Sequence, residues 1–328
     1  MLILNYMEQY LKVIKKAKRV AIFSHENPDP DTIGSSIALC RLLEGAGKHV
    51  ELFCGSSVPE NFGFLEYYVR YNTSKLEDFD LYIAVDVAEE YMLGTYSEAF
   101  LKFTNTIKID HHMSGTEYAK INKVFPYSAC AVGIFEVAEK LKLKITSDVA
   151  TELYFGICGD TGLFRYNNTD SKTFLTSAKL LDAGADFKFV YREFFDKKTV
   201  PYVKMTSKCL LNAKLNDEYK YVIMTASKDD YKKYGFPEES SIGNLPHSYL
   251  NCGYNIGVVL KERDDGIHCS FRSKFEYDVA KIAEKLGGGG HKNASGCLIK
   301  KDLKTATLEV EKEIKNYLKN YDKGESQC

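Results

Sequence analysis

The first half of the chain alternates short β-branched runs with helix-length stretches, and that alternation restricts it to a small set of folds. Arg19–Ser24 (RVAIFS) reads as a buried strand. Residues 32–43 then read as a helix with Ile33, Ile37, Cys40 and Leu43 on one face. Further strand-like runs follow at His49–Cys54, 81–86 (LYIAVD) and Thr106–Asp110 (TIKID), with helical patterns at 128–142, 147–159 and 171–183. Strands separated by helices need crossover connections, so the prediction is an α/β fold with a doubly wound, mostly parallel sheet. Such sheets collect ligands outside the carboxyl ends of their strands.

A chain of 328 residues, 45% apolar and 27% charged, suits two domains of ordinary globular composition. The spacing predicts a first domain over 1–185 and a largely helical linker over 186–211. A second domain follows over 212–321, with strands at 219–225, 255–261 and 267–272 and helices at 277–286 and 303–318. Residues 322–328 are expected to be a flexible tail. The opening MLILNYMEQYLKVIKKAKR reads as an amphipathic helix, because no basic stretch precedes its apolar start and no small-residue cleavage site follows. No apolar run is long enough to span a bilayer. Nine cysteines without a C-x-x-C pair fit reduced thiols, so the expected setting is cytoplasmic with no membrane partner. A net charge of −1 excludes the strong positive field that grips long nucleic acid, and any nucleic-acid substrate should be small.

Metal-binding residue types cluster at four places. His25, Asp29 and Asp31 lie within the loop HENPDPD after the first strand, where Pro28 and Pro30 stiffen the backbone. Asp86 ends LYIAV, Asp110-His111-His112 ends TIKI, and Asp160 sits in GICGDTG. Each alone has a simpler explanation: a strand-end aspartate often caps a helix or forms a turn. Together these carboxylates would repel one another at one rim, among the imidazoles, unless cations neutralised them. Hard carboxylates with imidazoles suit Mn²⁺, Mg²⁺ or Fe²⁺ better than a thiolate zinc site. In the second half, Gly287-Gly288-Gly289-Gly290-His291 has neither P-loop nor dinucleotide-fold spacing. It reads as a helix-to-strand turn, or as a place where backbone N–H groups approach an anion.

HENPDPD, VD, DHH and GICGDTG, followed far downstream by GGGGH, resemble the DHH/DHHA1 phosphoesterase family over nearly the whole chain. Length and layout are most similar to its branch of nanoRNases (oligoribonucleases) that are also pAp phosphatases. The resemblance implies a DHH domain and a smaller C-terminal α/β DHHA1 domain across a cleft. It implies two divalent cations, Mn²⁺ first, with Mg²⁺ or Fe²⁺ as alternatives. One would be held by His25, Asp29 and Asp86, the other by Asp31, Asp86, His111 and Asp160. Asp110 would orient an imidazole, and His112 would face the substrate phosphate as hydrogen-bond donor or general acid. Gly288, Gly289, Gly290 and His291 would cradle the nucleotide, with Arg272 as phosphate grip and Arg263 as a second candidate in a charged turn. Pro30 and Thr32 depart from the family's usual glycine and alanine, which bears on loop geometry and metal preference.

The activity so implied is hydrolysis of short oligoribonucleotides of about two to five nucleotides, or of 3′-phosphoadenosine 5′-phosphate, by two-metal activation of water. A stand-alone phosphodiesterase acting on cyclic or linear dinucleotides (c-di-AMP, pApA) is the alternative, and a non-catalytic nucleotide-binding protein is the reading from another class. Partners would be a small nucleotide or short single-stranded RNA or DNA, not a long duplex; a homodimer is compatible with the sequence.

Overall fold

A computed structural model describes residues 8–237, 242–274 and 276–325. The chain divides into two units, Met1–Asp196 and Lys197–Cys328.

The first unit is built on a five-stranded, all-parallel sheet in the order β2-β1-β3-β4-β5. After helix α1 (Gln9–Lys16) come β1 (Arg19–Ser24), α2 (Pro30–Gly45), β2 (His49–Cys54) and β3 (Leu81–Val85). Short α3 (Ser97–Lys102), β4 (Thr106–Asp110), β5 (Ile121–Val124), α4 (Cys130–Leu141), α5 (Ser147–Asp160), α6 (Ser171–Asp182) and α7 (Phe187–Tyr191) follow. The strands β3 and β4 are buried along their whole length, as parallel strands covered on both faces must be. One face carries Val20, Ile22, Leu52, Ile83 and Ile107 against helices α2, α4 and α5, with Ile33 and Ile37 of α2 in the same core. Each such side chain contributes about 1.5–3 kcal/mol when fully buried. The other face is aromatic, with Phe23, Phe53, Tyr82 and Phe100 packed together.

Helix α2 begins abruptly. Asp29 caps it by accepting from the Thr32 amide at 3.0 Å, and Pro30 occupies its first turn. Glycines then let α2 and α5 approach closely. A Cβ on Gly34 would lie 2.4 Å from the Glu152 carbonyl oxygen, one on Gly156 would lie 2.8 Å from Asp31 Oδ1, and one on Gly159 would lie 2.6 Å from Pro30 Cβ. The glycines of PDTIG and GICGD therefore hold the Pro30–Asp31 turn against the end of α5.

The second unit holds a six-stranded mixed sheet, β10-β11-β9-β8-β7-β6, in which β7 and β8 run parallel and the other neighbours antiparallel. Its elements are α8 (Val200–Leu211), β6 (Lys214–Asn216), β7 (Tyr221–Ala226), α9 (Lys228–Tyr234), α10 (His247–Leu250), β8 (Ile256–Arg263) and β9 (Gly266–Ser273). α11 (Ala280–Lys285), β10 (Gly289–His291), β11 (Ala294–Ile299) and α12 (Leu303–Glu325) complete it. Val258, Leu260, Cys269 and Phe271 face Val310 and Ile314 of α12, while Val222, Met224 and Val259 face Met205 and Cys209 of α8.

Helices α3, α9 and α10 and strand β6 were not read from the sequence, and three further features differ from its expectation. The glycine run is not a plain helix-to-strand turn, because Gly289–His291 pairs antiparallel with Ala294–Gly296 as an edge strand. The final helix runs past 318 to Glu325, so the start of the expected tail is helical, and residues 326–328 lie outside the described part. Strand β5 (INKV) went unanticipated because it is a short edge strand with two polar residues.

Candidate metal and phosphate site

Four strand or helix ends of the first unit, those of β1, β3, β4 and α5, bring their ligands together. At the end of β1, His25 is 8% exposed, and its Nδ1 bonds the Glu26 carbonyl at 2.7 Å. A carbonyl accepts, so Nδ1 donates, and Nε2 is the nitrogen turned toward the cluster, 4.0 Å from Asp86 Oδ2. After β3 the chain turns at Asp86, whose φ of 60° is a left-handed conformation that costs a residue with a Cβ about 1–2 kcal/mol. Its amide stays bonded to the Ile109 carbonyl at 2.9 Å, so the carboxylate is aimed by the sheet. Oδ2 accepts from the Thr32 hydroxyl at 2.6 Å. Oδ1 is buried without a hydrogen-bond partner among the described residues.

After β4, His111 Nδ1 lies 3.2 Å from the Tyr127 carbonyl. Its Nε2 is 3.1 Å from Asp160 Oδ2, 3.4 Å from Asp86 Oδ1 and 3.9 Å from Asp31 Oδ2. Asp31 works twice: its carboxylate accepts from the Cys130 and Ala131 amides at 2.5 and 3.0 Å, capping α4 from a distance, and also lines the cluster.

Three sets of potential ligand atoms lie within 4.8 Å of one another: His25, Asp29 and Asp86; Asp31, His111 and Asp160; Asp86, His111 and His112. Asp86 and His111 are each shared between two sets. Burial, and after it the neighbouring carboxylates, push Asp31 and Asp86 well above the usual carboxylate range. Burial disfavours a charged His111, yet the Asp160 carboxylate 3.1 Å from its Nε2 and the nearby carboxylates of Asp31 and Asp86 raise its pKa to about 10. A divalent cation would relieve this strain. Buried Asp86 Oδ1 and His111 Nε2, unsatisfied by hydrogen bonds among the described residues, are the atoms such an ion would engage. The donor set of oxygen and imidazole nitrogen fits a hard or borderline divalent ion.

Asp110 is held away from these sets. Its Oδ1 accepts from the His111 amide and from His112 Nδ1, both at 2.8 Å. Lys108 Nζ stands 3.3 Å from Oδ2, and both residues are fully buried. Burial alone would raise the Asp110 pKa, but the His112 hydrogen bond and the charges of His112 and Lys108 hold it below its usual value. The His112 side chain is 42% exposed, so the ring edge opposite Asp110 is open to a substrate.

Two residues here were not assigned a role from sequence. Thr32 was noted only as a departure from alanine, and its bond to Asp86 crosses 54 positions. Lys108 had a signal: in TIKID, Thr106, Lys108 and Asp110 share one strand face by the two-residue period.

In the second unit, register puts Arg272, Ala294 and His291 in one row across β9, β11 and β10. Directly paired antiparallel residues share a face, so Arg272 and His291 stand on the same side, two strand spacings or about 10 Å apart at the backbone. The Arg272 guanidinium is oriented by Asn244, whose Oδ1 accepts from Nε at 3.0 Å and Nη2 at 2.9 Å. Asn244 was not foreseen. Gly290 has a φ of 138°, and a Cβ on Gly288 would lie 2.1 Å from the Gly296 carbonyl oxygen, so both positions require glycine; Gly289 has open space. Arg263 ends β8 on the same face as Arg272 but six register positions along, about 20 Å away, and the sheet does not bring the two together.

Residues 19–157 match the DHH family, N-terminal domain, and residues 240–320 match the DHHA1 domain. A Thermus thermophilus protein named bifunctional oligoribonuclease and PAP phosphatase NrnA is 28% identical over 307 residues, covering 90% of each chain. A protein of the same name from Bacillus subtilis is 25% identical over 304 residues, 89% of this chain and 92% of its own. Among solved structures, an exopolyphosphatase-related protein from Bacteroides fragilis superposes with a TM-score of 0.88 at 23% identity, covering 96% of this chain and 97% of that one. That likeness shows the fold. No helix among the described residues is long and apolar enough to cross a membrane. Both domains matched in sequence order, with every residue of the acidic and histidine cluster except Asp160 inside the first, place this chain in the DHH/DHHA1 phosphoesterase family, alongside its bifunctional oligoribonuclease and PAP phosphatase members.

Proposed function

We propose that this chain hydrolyses short oligoribonucleotides of about two to five nucleotides and 3′-phosphoadenosine 5′-phosphate, using two divalent cations with Mn²⁺ preferred. The observation that carries the proposal is the run of three ligand sets joined through Asp86 and His111, with one unsatisfied atom of each of these two residues directed into the cluster. His25, Asp29 and Asp86 would hold one ion, and Asp31, Asp86, His111 and Asp160 the other. Bound there, such ions supply acidification of water and neutralisation of charge on the phosphoryl oxygens. The protein's own groups do the rest. Thr32 and the β3 backbone fix the Asp86 carboxylate. Asp110, charged against Lys108, holds the His112 ring so that its far nitrogen can hydrogen-bond the substrate phosphate or pass a proton to the leaving oxygen. Arg272, held by Asn244, and His291 would grip a substrate phosphate as a fork and a donor.

Relatives of matching length carry the oligoribonuclease and PAP phosphatase name, which supports this substrate class. The net charge of −1 supports small substrates over long strands or duplexes. The test is turnover by metal-stripped protein, with and without added Mn²⁺, on pAp, pApA, c-di-AMP and an RNA ladder from two to about 24 nucleotides. Mn²⁺-dependent turnover with kcat/KM highest for pAp and the shortest RNAs is expected, and Asp86→Asn should lose it while remaining folded. Full activity in excess chelator would refute the metal reading. Preference for c-di-AMP or pApA would move the assignment to a dinucleotide phosphodiesterase, and equal cleavage of the longest RNA would refute the length limit.

A further inference from the structure

Cys269 on β9 and Cys297 on β11 are directly opposed in the antiparallel register. Opposed residues point to the same face with Cα atoms about 4.5–5.5 Å apart, inside the range of about 4.4–6.8 Å that a disulfide spans. Both are free thiols, Cys269 buried and Cys297 partly exposed. They lie on the face that packs against α12, where Cys269 belongs to the apolar core and Cys297 leans on it. We propose that Cys269 and Cys297 form a redox-active dithiol that closes reversibly to a disulfide when it meets a small-molecule disulfide.

Accessibility and electrostatics give the two thiols different parts. The exposed edge of Cys297 is the one an oxidant reaches first. A hydrogen bond from the Cys269 thiol lowers the Cys297 pKa against the opposing effect of burial, and the same bond, followed by burial, raises that of Cys269. Cys297 is thus the attacking thiolate and Cys269 the resolving thiol. Cys297 Sγ attacks one sulfur of the small disulfide, forming a mixed disulfide and expelling one thiolate. Cys269 Sγ then attacks Cys297 Sγ, forming the protein disulfide and expelling the second thiolate. The two cysteine protons end on the two released thiols, two electrons pass from the protein to the oxidant, and atoms balance.

Gly288 is stacked on Cys297 so tightly that a Cβ there would lie 2.5 Å from Cys297 Cβ, which confines the Cys297 side chain beside β9. No third metal-type ligand joins the pair among the described residues, so a metal site does not explain it.

The full-length protein should be equilibrated with oxidised glutathione, its remaining thiols alkylated, and its peptides mapped by mass spectrometry. A linked Cys269–Cys297 peptide lacking two hydrogens should accumulate first and revert with dithiothreitol. The exposed Cys252 should stop at a glutathione adduct, which shows that the oxidant is competent. Cys269→Ser should leave glutathione on Cys297. Glutathionylated Cys252 with no Cys269–Cys297 link in the wild-type protein would overturn the proposal, and this measurement needs no variant to fold. An unmodified Cys297 in Cys269→Ser would overturn its role as attacker.

Discussion

The Thr32 hydroxyl donates to Asp86 Oδ2 across 2.6 Å, from the first turn of α2 to the end of β3, and both residues are buried. One carboxylate oxygen is thereby occupied, and the other faces His111 at 3.4 Å. Thr32→Ala should let the carboxylate rotate and weaken Mn²⁺ binding by about 10-fold or more, the usual cost of losing a group that orients a ligand. Thr32→Ser, which keeps the hydroxyl, should bind nearly as the parent does. Free Mn²⁺ measured by its paramagnetic resonance signal checks this without any assay of turnover, and equal affinity in Thr32→Ala would dismiss the role.

Lys108 is the buried counter-charge of Asp110. Removing one member of such a pair costs about 3–5 kcal/mol, because the other is left charged in a poor solvent. Lys108→Met should lower the denaturation midpoint accordingly. Adding Asp110→Asn should recover much of the stability and none of the activity, since His112 would keep its neighbour but lose the negative charge. A double variant no more stable than Lys108→Met would show that the two residues do not act as a pair.

Binding and turnover should separate between the units. Arg272→Ala should raise KM for pAp by about 10- to 100-fold, the worth of a charge-assisted hydrogen bond, with a smaller change in kcat. Asn244→Ala should do the same more weakly, because it frees the guanidinium that its Oδ1 now orients. Asp160→Ala should act chiefly on kcat. Steady-state kinetics on one substrate decides, and an Arg272→Ala effect confined to kcat would reverse the assignment.

Glu311 offers a pH test away from the metal cluster. Burial alone would raise its pKa, but hydrogen bonds from Lys214, Tyr221 and Lys315 hold it at about 2 against an ordinary 4.5. A carboxylate whose folded pKa is depressed stabilises the fold above its unfolded pKa and loses that contribution as pH falls toward the folded one. Glu311→Gln should therefore be less stable by about 1–3 kcal/mol at neutral pH. The gap from the parent should narrow as pH falls from 4.5 toward 2. A gap that stays constant over that window would contradict the ion-pair account.

The strands and helices that carry the metal-type ligands were legible because each is an apolar run closed by a polar residue that cannot continue it. Asp86 after LYIAV and Asp110 after TIKI are placed at the carboxyl ends of their strands by that rule alone. Contacts between distant segments were not legible. Thr32 meets Asp86 and Asn244 meets Arg272 across intervals of 54 and 28 residues, and nothing local encodes either contact. Strand β10 was invisible for a different reason, since glycine carries no side chain and so shows no alternation between faces. The segment from 55 to 80, with two short 3₁₀ turns, likewise has no period to read.

Gly156 and Gly159 give the cluster a tolerance set by missing atoms. A methyl group at Gly156 would collide with the Asp31 carboxylate and one at Gly159 with the ring of Pro30 beside it, so either addition presses on the Pro30–Asp31 turn that carries a ligand. The spacing between the two candidate ion positions is then a dimension machined into a helix contact, adjustable without touching any residue that would bind an ion. Preference among divalent ions of different radius could drift along that dimension while every coordinating side chain stayed the same.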